Sequence, residues 1–302
     1  MEARLTRLLE GRGPQTGAGL REALGDDGFG QWKACMLSER IKVRRVGRRY
    51  LRLDQRVEGY ARLSPSILRE FLTYTMVGLM SDQAGLEAAA EGLASRIRAI
   101  SAAKLKLAER FVSDISLRLL EDGSREEERF CVLLAGDIVY EMGHDAPRPE
   151  RSTGRMVRGS DLDLVVIMDD EAPEQLAKEL DDAIYQQKYR YLINPSIREE
   201  IDYTIKPLAR LGEQARFDTF KNMVPCKILD EAVLLYGSRE LYAAAKGLLV
   251  EQDVPARLAE MERTAAAARE RAEKHLLDRA EANLSGDDLY LFYTSEESEE
   301  FE

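Results

Sequence analysis

The block Arg158-Gly-Ser-Asp-Leu-Asp-Leu-Val-Val166 constrains this chain most. Leu162–Met168 is an apolar run interrupted only by Asp163. Such runs suit a strand covered on both faces. Side chains alternate across a strand, so Asp161 and Asp163 project from the same face. Two carboxylates side by side repel each other unless a cation bridges them. Mg²⁺ or Mn²⁺ takes oxygen ligands, commonly one or two carboxylates plus substrate phosphates. The block therefore predicts a strand that opens on a metal–nucleotide site.

The surrounding segment supplies a sheet. Phe130–Ala135 is a second continuous apolar run, and Glu171–Tyr191 has the spacing of a helix with Leu176, Leu180, Ile184 and Tyr191 inward. Ile201–Lys206 alternates with the period of a strand, with Asp202, Thr204 and Lys206 on one face. Pairing of this strand near the first would bring Asp202 to Asp161 and Asp163. Three carboxylates can hold two metal ions about 3.5–4 Å apart. Asp202 could instead take a proton from an acceptor hydroxyl. Taken alone, Asp161 reads as a strand-start cap and Asp202 as a solvated residue on an edge strand; their joint order and the Ser-Asp-x-Asp context carry the functional reading.

These motifs resemble the DNA polymerase β-like nucleotidyltransferase superfamily over roughly residues 130–245. The matching residues are Leu133-Leu-Ala-Gly-Asp137, Gly159-Ser-Asp-Leu-Asp-Leu164 and Glu200-Ile-Asp202. The resemblance implies that Asp161, Asp163 and Asp202 are catalytic and bind two Mg²⁺ or Mn²⁺ ions, with an NTP as donor. It implies that Gly136 lets the backbone approach the triphosphate and that a following helix offers its N-terminal amides. Asp137, Arg158, Gly159 and Ser160 complete the expected nucleotide site. Asp137 departs from the family pattern, which has Ser there, and a carboxylate beside a triphosphate is repulsive unless it points away or binds metal. The loop Gly143–Gly159 is longer than usual and carries Arg148, Arg151, Arg155 and Arg158. It reads either as a phosphate or acceptor clamp or as a surface loop.

The rest of the chain frames this domain. Net charge is −11, but eight basic residues and one acidic residue lie between Arg40 and Arg56, and eight acidic residues without Lys or Arg follow from Glu281. Residues 1–75 suggest three short helices, then a basic hairpin turning at Gly47, a pattern that resembles a winged helix-turn-helix. Arg44, Arg45, Arg48 and Arg49 would then contact duplex phosphates; a solvated or protein-docking hairpin is the plainer reading. The expected organisation is 1–75 winged-helix-like module, 76–125 helical connector, 126–250 nucleotidyltransferase domain, and 251–302 C-terminal helix and acidic tail. The fold class is α/β (α+β): a nucleotidyltransferase-type mixed sheet flanked by helices, preceded by the small module and followed by a long helix. Tyr290–Tyr293 reads as an ordered anchor before the tail.

Three scattered cysteines, Cys35, Cys131 and Cys226, form no C-x-x-C pair, which argues against structural zinc and a disulfide framework. No apolar run approaches the ~20 residues of a membrane span, and the N-terminus lacks a signal-like core. The expectation is a cytoplasmic protein with no membrane partner. Its expected reaction moves an NMP from an NTP to an acceptor hydroxyl on a protein, small molecule or RNA end, releasing pyrophosphate. The alternative is a DNA-binding regulator, or a toxin–antitoxin or defence-type protein, that uses the transferase-like domain as a sensor or a scaffold for a protein partner.

Overall fold

The computed structural model describes residues 1–25, 28–119, 128–150, 152–280 and 284–293. In chain order the elements are α1 (Glu2–Arg12), β1 (Gln15–Thr16), α2 (Gly17–Leu24), α3 (Phe29–Leu37), β2 (Ile41–Arg45), β3 (Tyr50–Leu53), β4 (Ala61–Ser64), α4 (Ile67–Thr73), β5 (Thr75–Leu79) and α5 (Gln83–Leu119). Then follow β6 (Phe130–Ala135), β7 (Pro147–Pro149), β8 (Met156–Arg158), β9 (Leu162–Met168), α6 (Glu174–Ile193), β10 (Ile201–Pro207), α7 (Leu208–Gln214), α8 (Phe220–Glu231), β11 (Val233–Gly237), α9 (Arg239–Glu251), α10 (Val254–Asp278) and α11 (Gly286–Phe292). The class is mixed α/β, with several small sheets and a long helix, α10, near the C-terminus. No helix among the described residues is long and apolar enough to cross a membrane.

Two compact units divide the chain, and the division falls within α5 and within α10. One unit comprises Met1–Arg52, Ala61–Arg98 and the chain from Glu262; the other comprises Leu53–Tyr60 and Ala99–Met261.

The first unit is built on short amphipathic helices. Leu5 and Leu9 lie one turn apart on α1 and are buried, as is Leu20 of α2. Thr16 caps α2 by accepting from the Gly19 amide, and Gly25 ends it in the left-handed conformation. The core adds Phe29, Trp32, Phe71 and Val77, and also Leu276 of α10 and Phe292 of α11. The sheet order is β1-β5-β2. Here the expected hairpin at Gly47 is corrected: β2 pairs with β5, from Ile41 opposite Leu79 to Arg45 opposite Thr75, and β3 pairs with β4. Tyr50 and Leu51 are buried, so their strand goes where it can cover apolar surface rather than back along β2.

The second unit holds a four-stranded sheet ordered β10-β9-β6-β11. β9 is antiparallel to β6 and parallel to β10. Val132, Leu134, Leu162, Leu164 and Val166 form one face and pack against Phe111 and Ile115 of α5 and Leu176, Leu180 and Ile184 of α6. Cys131, Leu133, Val165 and Ile167, on the opposite face, are buried as well, with α8 and α9 against β6. Both faces of β9 are therefore covered, which explains its unbroken apolar run. A one-residue slip of β9 would exchange its faces and drive Asp163 into the Phe111 core, so packing fixes the register strongly.

Candidate metal and nucleotide site

The register places the acids. Asp163 lies directly opposite Asp202 across the parallel β9–β10 pair, and opposite Ala135 at the end of β6. Asp161 precedes β9 by one residue and shares the Asp163 face. One carboxylate oxygen from each of Asp161, Asp163 and Asp202 lies within 4.8 Å of the others. At that separation each pair of like charges repels by about 3–4 kcal/mol at an effective dielectric near 20. All-oxygen donors of this charge suit a hard divalent cation such as Mg²⁺ or Mn²⁺.

Cations of the chain already lean on this cluster. Lys188 of α6 donates to Asp202 Oδ1 at 3.0 Å, and Arg148 of β7 approaches Asp161 Oδ2 at 3.6 Å. Arg148 is buried and also donates to Glu200 Oε2 at 2.6 Å and to the Gly159 carbonyl at 2.9 Å. Glu200 is buried beside the triad. Burial raises its pKa, Arg148 pulls it down, and the charges of Asp161 and Asp202 push it up again. Below it, the buried Lys104 of α5 donates to the carbonyls of Arg158 and Ser160 at 2.7 Å each and to Glu199 Oε2 at 2.5 Å. Burial raises Glu199, against the pull of Lys104. The strand entry that bears Asp161 is thus held from beneath by Arg148 and Lys104.

Gly136 closes the other side. Its φ is +79°, and a Cβ there would meet Asp163 Oδ2 at 2.2 Å. The absent side chain is the space Asp163 occupies. The chain then turns through 137–141, with Val139 donating to the Gly136 carbonyl and Met142 to that of Asp137. The expected α-helix after Gly136 is therefore corrected: a short turn stands there, with Glu141 at a φ of +58° and Gly143 close behind. Too few residues separate these breakers for a helical turn to propagate. The Gly136 amide donates to Glu231 Oε1 of α8 at 3.2 Å, and Glu231 pairs with Lys227. Lys227 also reaches the Tyr140 hydroxyl at 3.2 Å. That amide is engaged by a carboxylate of the chain.

The remaining expected nucleotide residues fall into place unevenly. Ser160 is buried; its hydroxyl donates to Asp137 Oδ2 at 3.3 Å and accepts from the His144 amide at 3.1 Å. Asp137 is thereby bound to Ser160 and does not stand alone at the strand end. Gly159 is buried, with its carbonyl on Arg148. Arg158 is exposed at the end of β8. The long loop forms the ribbon β7–β8, with Arg148 opposite Val157. Arg151 lies outside the described residues. In the first unit, Arg44 pairs with Glu87 at 3.2 Å. Arg49 donates to Glu70 at 2.6 Å and to Glu273 at 2.5 Å, and Arg45 joins both carboxylates. Buried Arg269 completes this network from α10.

Sequence reasoning missed the parts played by Lys104, Glu199, Glu200, Lys227 and Glu231. One signal was present: Pro149 biases Arg148 towards extended backbone, as a ribbon strand needs. Nothing local marked Glu231 or Lys104 as partners of a site so distant in the chain. The three cysteines are all buried, and burial pushes Cys131 up to about 12. No protein-family model matches this chain, and no curated protein matches it.

Proposed function

We propose that the second unit is a divalent-metal-dependent nucleotidyltransferase of the DNA polymerase β-like kind, transferring an NMP from an NTP to an acceptor hydroxyl. The observation that carries this reading is the meeting of Asp161, Asp163 and Asp202 within 4.8 Å on two adjacent parallel strands. A divalent cation bound there would supply charge to the triphosphate and to the attacking oxygen. The chain's own residues set the geometry. Arg148 fixes Asp161 and Glu200 together. Lys188 holds Asp202 until a ligand competes for it. Gly136 leaves room for Asp163. The engagement of the Gly136 amide by Glu231 means that donor phosphates must find their hydrogen bonds elsewhere or displace that carboxylate. Of the expected set, Arg158 is the exposed cation that could donate to them.

The ion pairs of Arg44, Arg45 and Arg49 count against duplex binding as the primary function, because phosphate would have to displace Glu87, Glu70 and Glu273.

The test is thermal stability with each NTP and Mg²⁺ or Mn²⁺, for the wild type and for Asp161→Ala/Asp163→Ala. A ligand that binds only the folded state stabilises it by about 2.7 kcal/mol at a hundredfold excess over Kd. The expected result is a metal-dependent shift that favours one NTP and vanishes in the variant. No shift with any nucleotide would sink the transferase reading and leave a fold kept for interaction.

A further inference from the structure

We propose that the acceptor is an extended polypeptide that pairs with the outer edge of β10 and presents a Ser or Thr hydroxyl to Asp202. This rests on the transferase reading above and deepens it. β10 is the edge of the sheet, and among the described residues no strand pairs with its outer side. It is seven residues long, long for an unpaired edge, which natural proteins usually keep short or cover. The Leu162 amide donates to the Glu200 carbonyl at 3.0 Å. That bond sets the phase of the parallel ladder. Asp202, Thr204 and Lys206 direct their main-chain groups at β9. Ile201, Tyr203 and Ile205 direct theirs outward. A row of alternating amides and carbonyls is complementary to extended main chain, the basis of recognition by strand addition.

The position of Asp202 in that row gives the edge its chemistry. For an antiparallel added strand, Asp202 occupies a non-hydrogen-bonded position, where opposed Cα atoms approach to about 4.5 Å. Side chains opposed at such a position lie on the same face. A Ser or Thr opposite Asp202 would therefore stand on the face that carries Asp161 and Asp163. Asp202 and Thr204, next along that face, are exposed, and an incoming hydroxyl has to displace Lys188 from Asp202 Oδ1. Lys206, third on the same face, favours an acidic side chain four positions from the hydroxyl by charge complementarity. The step balances with the NTP as co-reactant. The hydroxyl oxygen forms a bond to the α-phosphorus. The bond from that phosphorus to the bridging oxygen breaks, and pyrophosphate leaves with the electron pair. The hydroxyl proton passes to Asp202.

The test incubates the full chain with Mg²⁺, NTPs labelled at the α-phosphate, and short β-branched peptides carrying a central Ser or Thr with Glu four positions away. Two peptide forms are compared. One is N-methylated at the residues whose amides would face β10, the other at the alternate residues. Amide hydrogen exchange at Tyr203 and Ile205 is followed in parallel. The expected result is label on the central hydroxyl and slowed exchange at Tyr203 and Ile205. Methylation of the edge-facing amides lowers labelling about tenfold or more, and methylation of the others leaves it nearly unchanged. Labelling that ignores the methylation pattern, or an NTP-dependent thermal shift with no label on any peptide, overturns the edge proposal and spares the triad. Protection of Tyr203 and Ile205 without peptide, together with a dimer in sedimentation, assigns the edge to a second copy and also overturns it. Loss of the NTP–Mg²⁺ shift itself removes both readings.

Discussion

At Gly136 a side chain is disfavoured for two separable reasons. The left-handed backbone costs a residue with a Cβ roughly 1–2 kcal/mol, and the methyl would lie 2.2 Å from Asp163 Oδ2. Gly154 isolates the first reason: its φ is +68°, and a methyl there would meet nothing within 4 Å. Gly136→Ala should therefore lose about 1–3 kcal/mol of unfolding free energy and also the metal-dependent rise in melting temperature. Gly154→Ala should lose only the backbone part and keep the metal response; parallel denaturant and thermal titrations check both. A second residue-scale prediction concerns Glu150, which accepts from the amides and hydroxyls of both Ser152 and Thr153. Burial alone would raise its pKa, but these bonds outweigh it and hold the carboxyl at about 2. Since the folded value lies below the unfolded one, its stabilisation is present above about pH 4.5 and lost as pH falls towards 2. Glu150→Gln should cost about 1–3 kcal/mol near neutrality and progressively less as pH falls from about 4.5 through 2, read from unfolding curves across that window. The three aspartates were legible in the sequence because period-two alternation fixes which side chains share a face. Glu231 and Lys104 were not, because their bonds join residues far apart in the chain.

Elements carry the site through Arg148. β7 holds it opposite Val157 of β8, and its guanidinium ties the Gly159 carbonyl, Glu200 and Asp161 together. Removing one partner of a buried ion pair leaves the other charged without compensation and costs about 3–5 kcal/mol. Arg148→Met should show that loss, and Glu200→Gln added to it should recover part, with the coupling measured in a double-mutant cycle. Weaker Mg²⁺ binding in Arg148→Met than in Glu200→Gln would separate orientation of Asp161 from stability alone. The strands of this unit were legible where hydrophobic runs were long: β6, β9 and β10 stand where alternation and apolar runs put them. Their pairing was a conjecture that the register of Asp202 on Asp163 resolves. The helix expected after Gly136 came from resemblance and not from local sequence. Glu141 at positive φ, Gly143 and the two prolines of β7 left no room for it. The hairpin at Gly47 failed differently. Strand propensity on both sides of a glycine says that strands exist, but buried Tyr50 and Leu51 decide which partner each takes.

Over the whole molecule, the two units have separate cores, and neither is a continuous stretch of chain. Sequence reasoning set a boundary near residue 75 and treated the C-terminal segment as an appendage with an aromatic anchor. The anchor exists: α11 is opened by a capping box between Ser285 and Asp288, and His275 Nε2 lies 2.6 Å from Asp288 Oδ1. Which core it joins could not be read locally, since Phe292 meets Phe29 at 5.1 Å and Trp32 at 5.4 Å between ring centroids. Trp32 is the chain's one tryptophan, so its fluorescence reports this core and no other. Phe292→Ala empties a fully buried aromatic site and should cost about 3–5 kcal/mol. The midpoint followed by Trp32 fluorescence should fall accordingly. The proposed NTP–Mg²⁺ site lies in the other unit, so its Kd should stay within about twofold of wild type, less than about 0.4 kcal/mol, when titrated well below that midpoint. A lowered fluorescence midpoint with unchanged Kd means that Phe292 completes the first core without serving the proposed site. A large loss of nucleotide affinity would mean that the two cores depend on each other, contrary to what their separate packing implies.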